Sequence, residues 1–174
     1  LLFASPANPT GASLQPDIMK SLLLTAQDLG VSVISDEIYH RLSYVGGDTT
    51  ALSVSDDVTI INSFSKFYCM TGWRIGWMVL PPSLVRAVER IAQNLYISAP
   101  ELSQIAAIEA FGATADLEII KTRYGKNRRI LSDCLPKLGF DLAAKMDGAF
   151  YAWCDVSRHT NDSMTFARKM LTET

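Results

Sequence analysis

The segment "SFSKFYCMTGWRIGW", residues 63–77, holds the side chains with the clearest chemical potential in the chain. Lys66 carries an amine that can attack a carbonyl group. Arg74 carries a planar guanidinium that can donate two hydrogen bonds to a phosphate at once. Ser63 and Ser65 place two hydroxyl groups beside the lysine. A single lysine is usually a solvated surface charge, so the position of Lys66 in the fold decides between the two interpretations.

The first part of the chain predicts a strand, a helix and a second strand. "LLFAS", residues 1–5, is a short apolar run that stops at the turn cluster "PANPTG". Apolar residues then recur at helical spacing from Pro16 to about Leu29, and Gly30 suits the left-handed end of that helix. The β-branched run Val31–Ser35 follows. This order predicts a right-handed crossover between two parallel strands.

Two further strands are predicted at Val58–Phe64 and Trp73–Leu80. Four strands that are apolar on both faces predict an α/β fold with a sheet covered on both faces. The remaining pattern is largely helical. It predicts a helix capped at Ser83, another after Pro100, a long charged helix from about Ala115 to Leu135, two strands joined at Asp147–Gly148, and a helix from about Ser163.

Polar residues cluster where the predicted strands end. Asn8 follows the first strand, Asp36 follows the second, and Ser63, Ser65 and Lys66 follow the third. The carboxyl ends of parallel strands meet at one rim of a sheet, and ligands bind outside that rim. The predicted topology therefore favours a ligand site that contains Lys66.

Three motifs, "SPANPTG", "SDEIYHRL" and "SFSKFYCMTGWRIGW", resemble those of pyridoxal-phosphate enzymes of fold type I, particularly the class I and II aminotransferases. The resemblance covers nearly the whole chain, and three motifs in register are specific. It implies an α/β fold: the C-terminal half of a mixed, mostly parallel-sheet, three-layer PLP-binding large domain over residues 1–118, and the start of a small α+β domain over residues 119–174.

The resemblance implies pyridoxal 5'-phosphate as cofactor and three catalytic residues, Lys66, Asp36 and Tyr39. Lys66 would form the Schiff base with the cofactor aldehyde and carry the proton of the substrate α-carbon. Asp36 would face the pyridine nitrogen, and Asn8 and Tyr39 would bond the ring hydroxyl. A carboxylate about 4 Å from a pyridinium stabilises it by about 4 kcal/mol at an effective dielectric near 20. This equals about three pKa units, so the ring stays protonated and accepts electrons.

The phosphate is implied to lie against Ser63, Ser65 and Arg74. Taken singly, these residues have ordinary interpretations as loop serines and a surface arginine. Asp36 alone predicts a turn or helix cap, and Asn8 alone predicts a turn residue. The occurrence of all of them at one predicted rim favours the site.

The aromatic residues of the motifs and of the final hairpin are predicted to pack in the core. Tyr39 taken alone predicts a core residue with a bonded hydroxyl. Trp73 and Trp77 share a predicted strand, and Tyr151 and Trp153 lie on the predicted final hairpin, so all four are expected to pack.

Composition restricts the class of partner. The chain has 174 residues, of which 48% are hydrophobic, which suffices for a packed core. Its 18 acidic and 16 basic residues are scattered, so neither nucleic acid nor an anionic membrane surface is expected as a partner. Apolar runs are shorter than the roughly 20 residues of a membrane span. Small molecules are the expected partners.

Cysteine and histidine spacing gives no sign of a disulfide framework or a metal site. Cys69, Cys134 and Cys154 form no C-x-x-C pair, and His40 and His159 lack ligand spacing. Reduced thiols predict a reducing compartment, so the expected location is cytoplasmic.

The resemblance also implies missing parts. Family chains are longer, with an upstream glycine-rich phosphate loop and a downstream arginine for the substrate carboxylate that have no counterpart here. We therefore expect this chain alone to be incomplete and inactive, and the full-length protein to be a homodimer. Missing upstream strands would leave apolar sheet surface exposed.

The predicted function is transfer of an amino group between an amino acid and a 2-oxo acid. Lys66 and Asp36 would equally serve a C–S β-lyase, a synthase or a decarboxylase of the same fold. A ligand-sensing domain of a transcription regulator is a third class, which requires a DNA-binding helix-turn-helix outside these residues. Aromatic, acidic and branched-chain amino acids all stay open as substrates.

Overall fold

The computed structural model describes residues 1–173 and begins with a four-stranded sheet in the order β1-β2-β3-β4. The strands are β1 (Leu2–Ala4), β2 (Val33–Asp36), β3 (Val58–Ser63) and β4 (Gly76–Val79). β1, β2 and β3 are parallel to their neighbours, and β4 is antiparallel to β3. The α/β class and the mixed, mostly parallel sheet predicted from the sequence are confirmed.

Helix α1 (Pro16–Asp28) connects β1 to β2 and covers one face of the sheet. Proline suits its first turn because the missing amide hydrogen has no intrahelical partner there, and the chain leaves the helix through Gly30 at φ 64°. Its apolar stripe packs on β2 and β3. The core on this face consists of Met19, Leu23, Ala26, Val33, Ala51, Val58 and Ile60.

The opposite face of the sheet is open in this chain. Leu2 of β1 is 70% exposed, and Ile34 of β2 and Met78 of β4 are also exposed. The expectation of two covered faces therefore holds only on the side of α1. The other side carries apolar side chains that the described residues leave partly exposed.

Besides three short 3-10 turns, the remaining elements of residues 1–173 are four α-helices and a two-stranded antiparallel ladder. The chain passes through two shorter helices to a long one, Thr114–Cys134. This long helix crosses position 118 without a break. The domain boundary near residue 118 stays a prediction. No helix within residues 1–173 is long and apolar enough to cross a membrane. The elements are α2 (Pro82–Leu95), α3 (Glu101–Ala110), α4 (Thr114–Cys134), β5 (Asp141–Leu142), β6 (Cys154–Asp155) and α5 (Ser163–Glu173).

Two predicted boundaries are wrong for reasons of local backbone geometry. Helix α2 begins at Pro82 with Pro81 as its N-cap residue, so Ser83 lies inside the first turn and does not cap it. β4 begins at Gly76, because the preceding residues Thr71–Trp73 form a 3-10 turn. Trp73 is consequently 41% exposed and does not pack in the sheet.

The Asp147–Gly148 pair is not the hairpin turn that the sequence predicted. β5 and β6 do pair antiparallel, and the Ala143 amide extends the ladder by donating to the Trp153 carbonyl at 2.8 Å, but residues 146–151 between them dock elsewhere. The Gly148 amide donates to the Gly11 carbonyl at 2.8 Å, and the Tyr44 amide donates to the Asp147 carbonyl at 2.8 Å. We call residues 146–151 the docked segment. Its backbone forms hydrogen bonds with the turns that follow β1 and β2.

We predict that Gly148→Ala destabilises the protein by about 1–3 kcal/mol, because the docked segment has no room for a methyl group. A Cβ at position 148 would lie 2.8 Å from Cβ of Pro6, closer still to its Cγ, and 3.2 Å from the Leu42 carbonyl oxygen. Urea unfolding followed by circular dichroism measures the change. Gly72→Ala is the matched control, since nothing lies within 4 Å of its Cβ position. Equal midpoints for the two variants would contradict the packing argument.

Candidate functional site

The sheet register brings the predicted site residues to one rim. Ala4 lies opposite Asp36, and Ser63 at the end of β3 lies opposite Gly76 at the start of β4. The carboxyl ends of three parallel strands therefore meet the amino end of β4. Every predicted site residue lies at this rim or on a segment that leaves it, namely Asn8, Asp36, Tyr39, Ser63, Ser65, Lys66 and Arg74.

Lys66 lies against aromatic rings at this rim. Its Nζ is 5.5 Å from the ring centroid of Tyr39 and 5.8 Å from that of Phe150, within the range of cation–π contacts. None of the ion pairs formed by residues 1–173 includes Lys66. The side chain is half-buried, so its environment differs from that of a solvated surface lysine.

Asp36 ends β2 and takes part in the turn that follows. Its Oδ1 accepts a hydrogen bond from the Ile38 amide at 3.1 Å, which is the turn role expected of an isolated aspartate. A carboxylate has two oxygens, so Oδ2 can still face a ligand. The turn and the site interpretations of Asp36 are therefore compatible.

Tyr39 is 1% exposed, and its hydroxyl lies 2.5 Å from the hydroxyl of Tyr151. Burial is the largest cause that raises the Tyr39 pKa. The hydrogen bond and charge of Tyr151 and the nearby Asp36 carboxylate raise that pKa further. Tyr39 consequently keeps its proton at neutral pH and is available as a hydroxyl donor.

Tyr151 was expected only to pack, and the structure adds a hydrogen bond to the candidate site. The rings of Tyr39, Phe150 and Tyr151 contact one another edge to face or tilted. The centroid separations are 5.5 Å for Tyr39–Phe150, 5.6 Å for Tyr39–Tyr151 and 5.0 Å for Phe150–Tyr151. Local sequence patterns could not place Tyr151 here, since its position depends on the docked segment contacting residues more than one hundred positions away.

The residues implied to hold a phosphate are less closely assembled. The Ser63 hydroxyl accepts a hydrogen bond from the Ser65 amide at 3.0 Å, and the exposed Arg74 donates one hydrogen bond to the Thr71 carbonyl at 2.8 Å. Arg74 has φ 51°, in the left-handed region. The hydroxyls and the remaining guanidinium donors can still bind an anion. Asn8 is exposed in the turn after β1. No hydrogen bond in residues 1–173 joins Asn8 or Arg74 to Lys66.

Glu37 is a second residue whose role the sequence did not reveal. It is 2% exposed, and Oε1 accepts hydrogen bonds from the Ala51 amide at 2.8 Å, the Thr50 hydroxyl at 3.1 Å and the Ser35 hydroxyl at 3.2 Å. Its Oε2 lies 3.3 Å from Nδ1 of His40. This network fixes the turn that begins at the end of β2 and so holds the carboxylate and phenol of the site in place.

The model of the family described as aminotransferase class I and II matches residues 1–174. The chain therefore belongs to the class I and II aminotransferases. Enzymes of this family depend on pyridoxal phosphate.

Individual relatives agree with the family. The valine–pyruvate aminotransferase of Mycobacterium tuberculosis is 44% identical over 178 residues, which cover 100% of this chain and 46% of that protein. A crystal structure of an aminotransferase from Mycobacterium tuberculosis has a TM-score of 0.96 at 44% identity, covering 99% of this chain and 46% of that one. Aspartate aminotransferase from Thermus thermophilus with maleate has a TM-score of 0.92 at 30% identity, covering 98% and 46%. The chain spans about half the length of these relatives.

The donor set at the rim fits the functional groups of pyridoxal phosphate. The aldehyde requires an amine, and Lys66 carries one that has no carboxylate partner among residues 1–173. The pyridine nitrogen requires a carboxylate, which Asp36 can provide, and the ring oxygen requires a donor, which the protonated Tyr39 can provide. Residues 1–173 contain no group of three His, Cys, Asp or Glu residues that could hold a metal ion.

Tyr44 ties the docked segment to the turn after β2. Its hydroxyl donates to the Ala149 carbonyl at 2.8 Å. Burial raises the pKa of Tyr44 to about 12, the charge of Tyr124 raises it further, and the Arg128 guanidinium lowers it. The neutral phenol is therefore favoured in the folded state.

We predict that the protein loses stability as the pH rises from about 10 to about 12, because the Tyr44 phenol ionises less readily in the folded state than in the unfolded state. The unfolded phenol ionises near pH 10 and the folded one near 12, so its contribution is complete below pH 10 and is lost as the pH rises through this window. In Tyr44→Phe, urea midpoints measured across this range should fall less steeply than in the wild type. Tyr96→Phe, at an exposed tyrosine, is the control. The same slope in Tyr44→Phe and the wild type would refute the prediction.

Proposed function

We propose that the chain is the lysine-bearing part of a PLP-dependent aminotransferase that moves an amino group between an amino acid and a 2-oxo acid. The observation that carries the proposal is the position of Lys66, which lies near the rings of Tyr39 and Phe150 at the sheet rim and pairs with no carboxylate in the part of the chain that the structure describes. Membership of the family supports the cofactor and the reaction class.

Lys66 has two successive tasks in this proposal. Its amine would hold the cofactor, and as a free amine it would accept and return the proton at the substrate α-carbon. Bound pyridoxal phosphate supplies the electron sink for that carbon. The rings of Tyr39 and Phe150 limit the directions from which water and other groups can reach the lysine nitrogen.

The other rim residues orient and tune the cofactor. Asp36 would face the pyridine nitrogen of the bound cofactor, where its negative charge would favour the protonated form of the ring. Tyr39 and Asn8 would hydrogen-bond the ring oxygen. Ser63, Ser65 and Arg74 would hold the phosphate, for which the guanidinium would provide charge and paired donors. The support for these roles is the shared rim and the donor chemistry described above.

Further parts of the proposal concern the whole protein. Because the chain spans 46% of its relatives' length, we propose that catalysis also requires groups outside these residues, and that the whole protein is a homodimer. The open apolar face of the sheet supports a need for additional covering structure. We also propose a cytoplasmic location and a role in amino acid metabolism, most simply biosynthesis. Three unpaired cysteines are compatible with a reducing compartment.

The relatives' names favour amino transfer over the other chemistries that the same residues could perform. They include a valine–pyruvate aminotransferase, an arginine–pyruvate transaminase from Pseudomonas aeruginosa and a probable aspartate aminotransferase from Methanocaldococcus jannaschii. A lyase, a synthase, a decarboxylase or a ligand-sensing role has no comparable support. The range of amino acids in these names leaves the substrate of this chain at the level of its class.

We predict that Lys66→Ala abolishes covalent cofactor attachment in the complete protein that contains this chain. The wild type, treated with pyridoxal phosphate and borohydride, should gain the mass of one reduced cofactor, and the variant should not. Lys20→Ala, at an exposed position of α1, should behave as the wild type does. A cofactor adduct in Lys66→Ala, or its location on another lysine in the wild type, would contradict the assignment.

We predict that Asp36→Asn lowers kcat by about a hundredfold to a thousandfold, since removal of a carboxylate worth about 4 kcal/mol weakens the electron sink. The amide oxygen of asparagine can still accept the Ile38 hydrogen bond, so the fold should persist. Steady-state kinetics on the complete protein measures the effect. Asp17→Asn, in the exposed first turn of α1, is the control. A fall of less than tenfold in Asp36→Asn would show that this carboxylate does not tune the cofactor.

A further inference from the structure

The hydroxyls of Tyr39 and Tyr151 form a contact that the proposed roles above do not use. The two oxygens are 2.5 Å apart, and either atom can be the donor. Tyr39 is almost fully buried, whereas Tyr151 is half-buried and comes from the docked segment. The contact therefore joins the turn after β2 to a part of the chain more than one hundred residues later.

A phenol hydroxyl has one proton to donate and lone pairs that accept. If Tyr39 donates its proton to the cofactor's ring oxygen, it cannot also donate to Tyr151 along the same bond. The pair can then persist only with Tyr151 as donor and the Tyr39 oxygen as acceptor. A donated bond of this kind polarises the Tyr39 hydroxyl and strengthens it as a donor.

We propose that Tyr151 is a positioning residue for Tyr39. The Tyr151 hydroxyl donates its hydrogen bond to the Tyr39 oxygen, and this directs the Tyr39 hydroxyl proton toward the ring oxygen of the cofactor. This inference rests on the proposed function. It assigns Tyr151 an effect that reaches the cofactor only through Tyr39.

The backbone of the docked segment holds Tyr151 in position independently of any ligand. The Gly148 amide donates to the Gly11 carbonyl at 2.8 Å, and the Ala149 amide donates to the Leu42 carbonyl at 3.0 Å. Ala149 is fully buried. A tyrosine attached directly after such an anchored stretch has little freedom to move its hydroxyl away from its partner.

The ionisable groups that face the Tyr39 phenol come from three parts of the chain. Asp36 acts on it from the end of β2, Tyr151 from the docked segment, and the Lys66 amine lies 5.5 Å from its ring centroid after β3. Asp36 and Lys66 are unchanged in a Tyr151 variant. A titration difference caused by Tyr151→Phe is therefore attributable to the lost hydroxyl.

The test is a pH titration of the visible absorbance of bound pyridoxal phosphate in the complete protein, for the wild type, Tyr151→Phe, Tyr39→Phe and the double variant. Phenylalanine keeps each ring in its packing. A hydrogen bond to the anionic form of the ring oxygen lowers the apparent pKa of the cofactor, so Tyr39→Phe should raise this pKa by about one unit. Tyr151→Phe should raise it by about a third of a unit, and the double variant should match Tyr39→Phe.

Tyr124→Phe is the control, because its ring contacts Phe150 at 5.8 Å from centroid to centroid and should leave the cofactor pKa unchanged. An unchanged pKa in Tyr151→Phe, or additive shifts in the double variant, would overturn this inference. Borohydride reduction with mass spectrometry separates it from the proposed function. Without a Lys66 adduct in the wild type both proposals fail, and with the adduct but no Tyr151 effect only this one fails.

Discussion

The site depends on the docking of residues 146–151 against the turns that follow β1 and β2. Backbone hydrogen bonds from Gly148 to Gly11 and from Ala149 to Leu42 carry this docking, and Gly148 is placed where its missing side chain leaves room for Pro6. Phe150 and Tyr151 follow directly in the chain. One of the two aromatic rings near the Lys66 amine, that of Phe150, is therefore supplied by a segment that forms neither helix nor strand.

The parallel register contributes the other half of the site. Since β1, β2 and β3 end at the same rim, Asp36 and the segment that carries Lys66 converge although 30 positions separate them in sequence. The buried Glu37 then fixes the intervening turn through its bonds to the backbone and hydroxyls around Ala51. A buried carboxylate with this many partners is satisfied, so it acts on the site by holding backbone in place.

Sequence patterns predicted the first half of the fold better than the second. Helical spacing with proline at one end and glycine at the other located α1, and short β-branched runs located β2 and β3, because these signals are local. Asp147–Gly148 has the composition of a hairpin turn, but its hydrogen-bond partners lie more than one hundred residues away. The same distance hid the contact between Tyr39 and Tyr151. Patterns of adjacent residues carry no information about such partners.

The aromatic surroundings of Lys66 also constrain the order of assembly. The lysine and Phe150 are 84 positions apart, so the loop between them has to close before their contact can form. During synthesis from the N-terminus, all four strands of the sheet, which end at Val79, are made before Phe150. The surroundings of Lys66 described above are therefore complete only after Phe150 has been synthesised and has reached the rim.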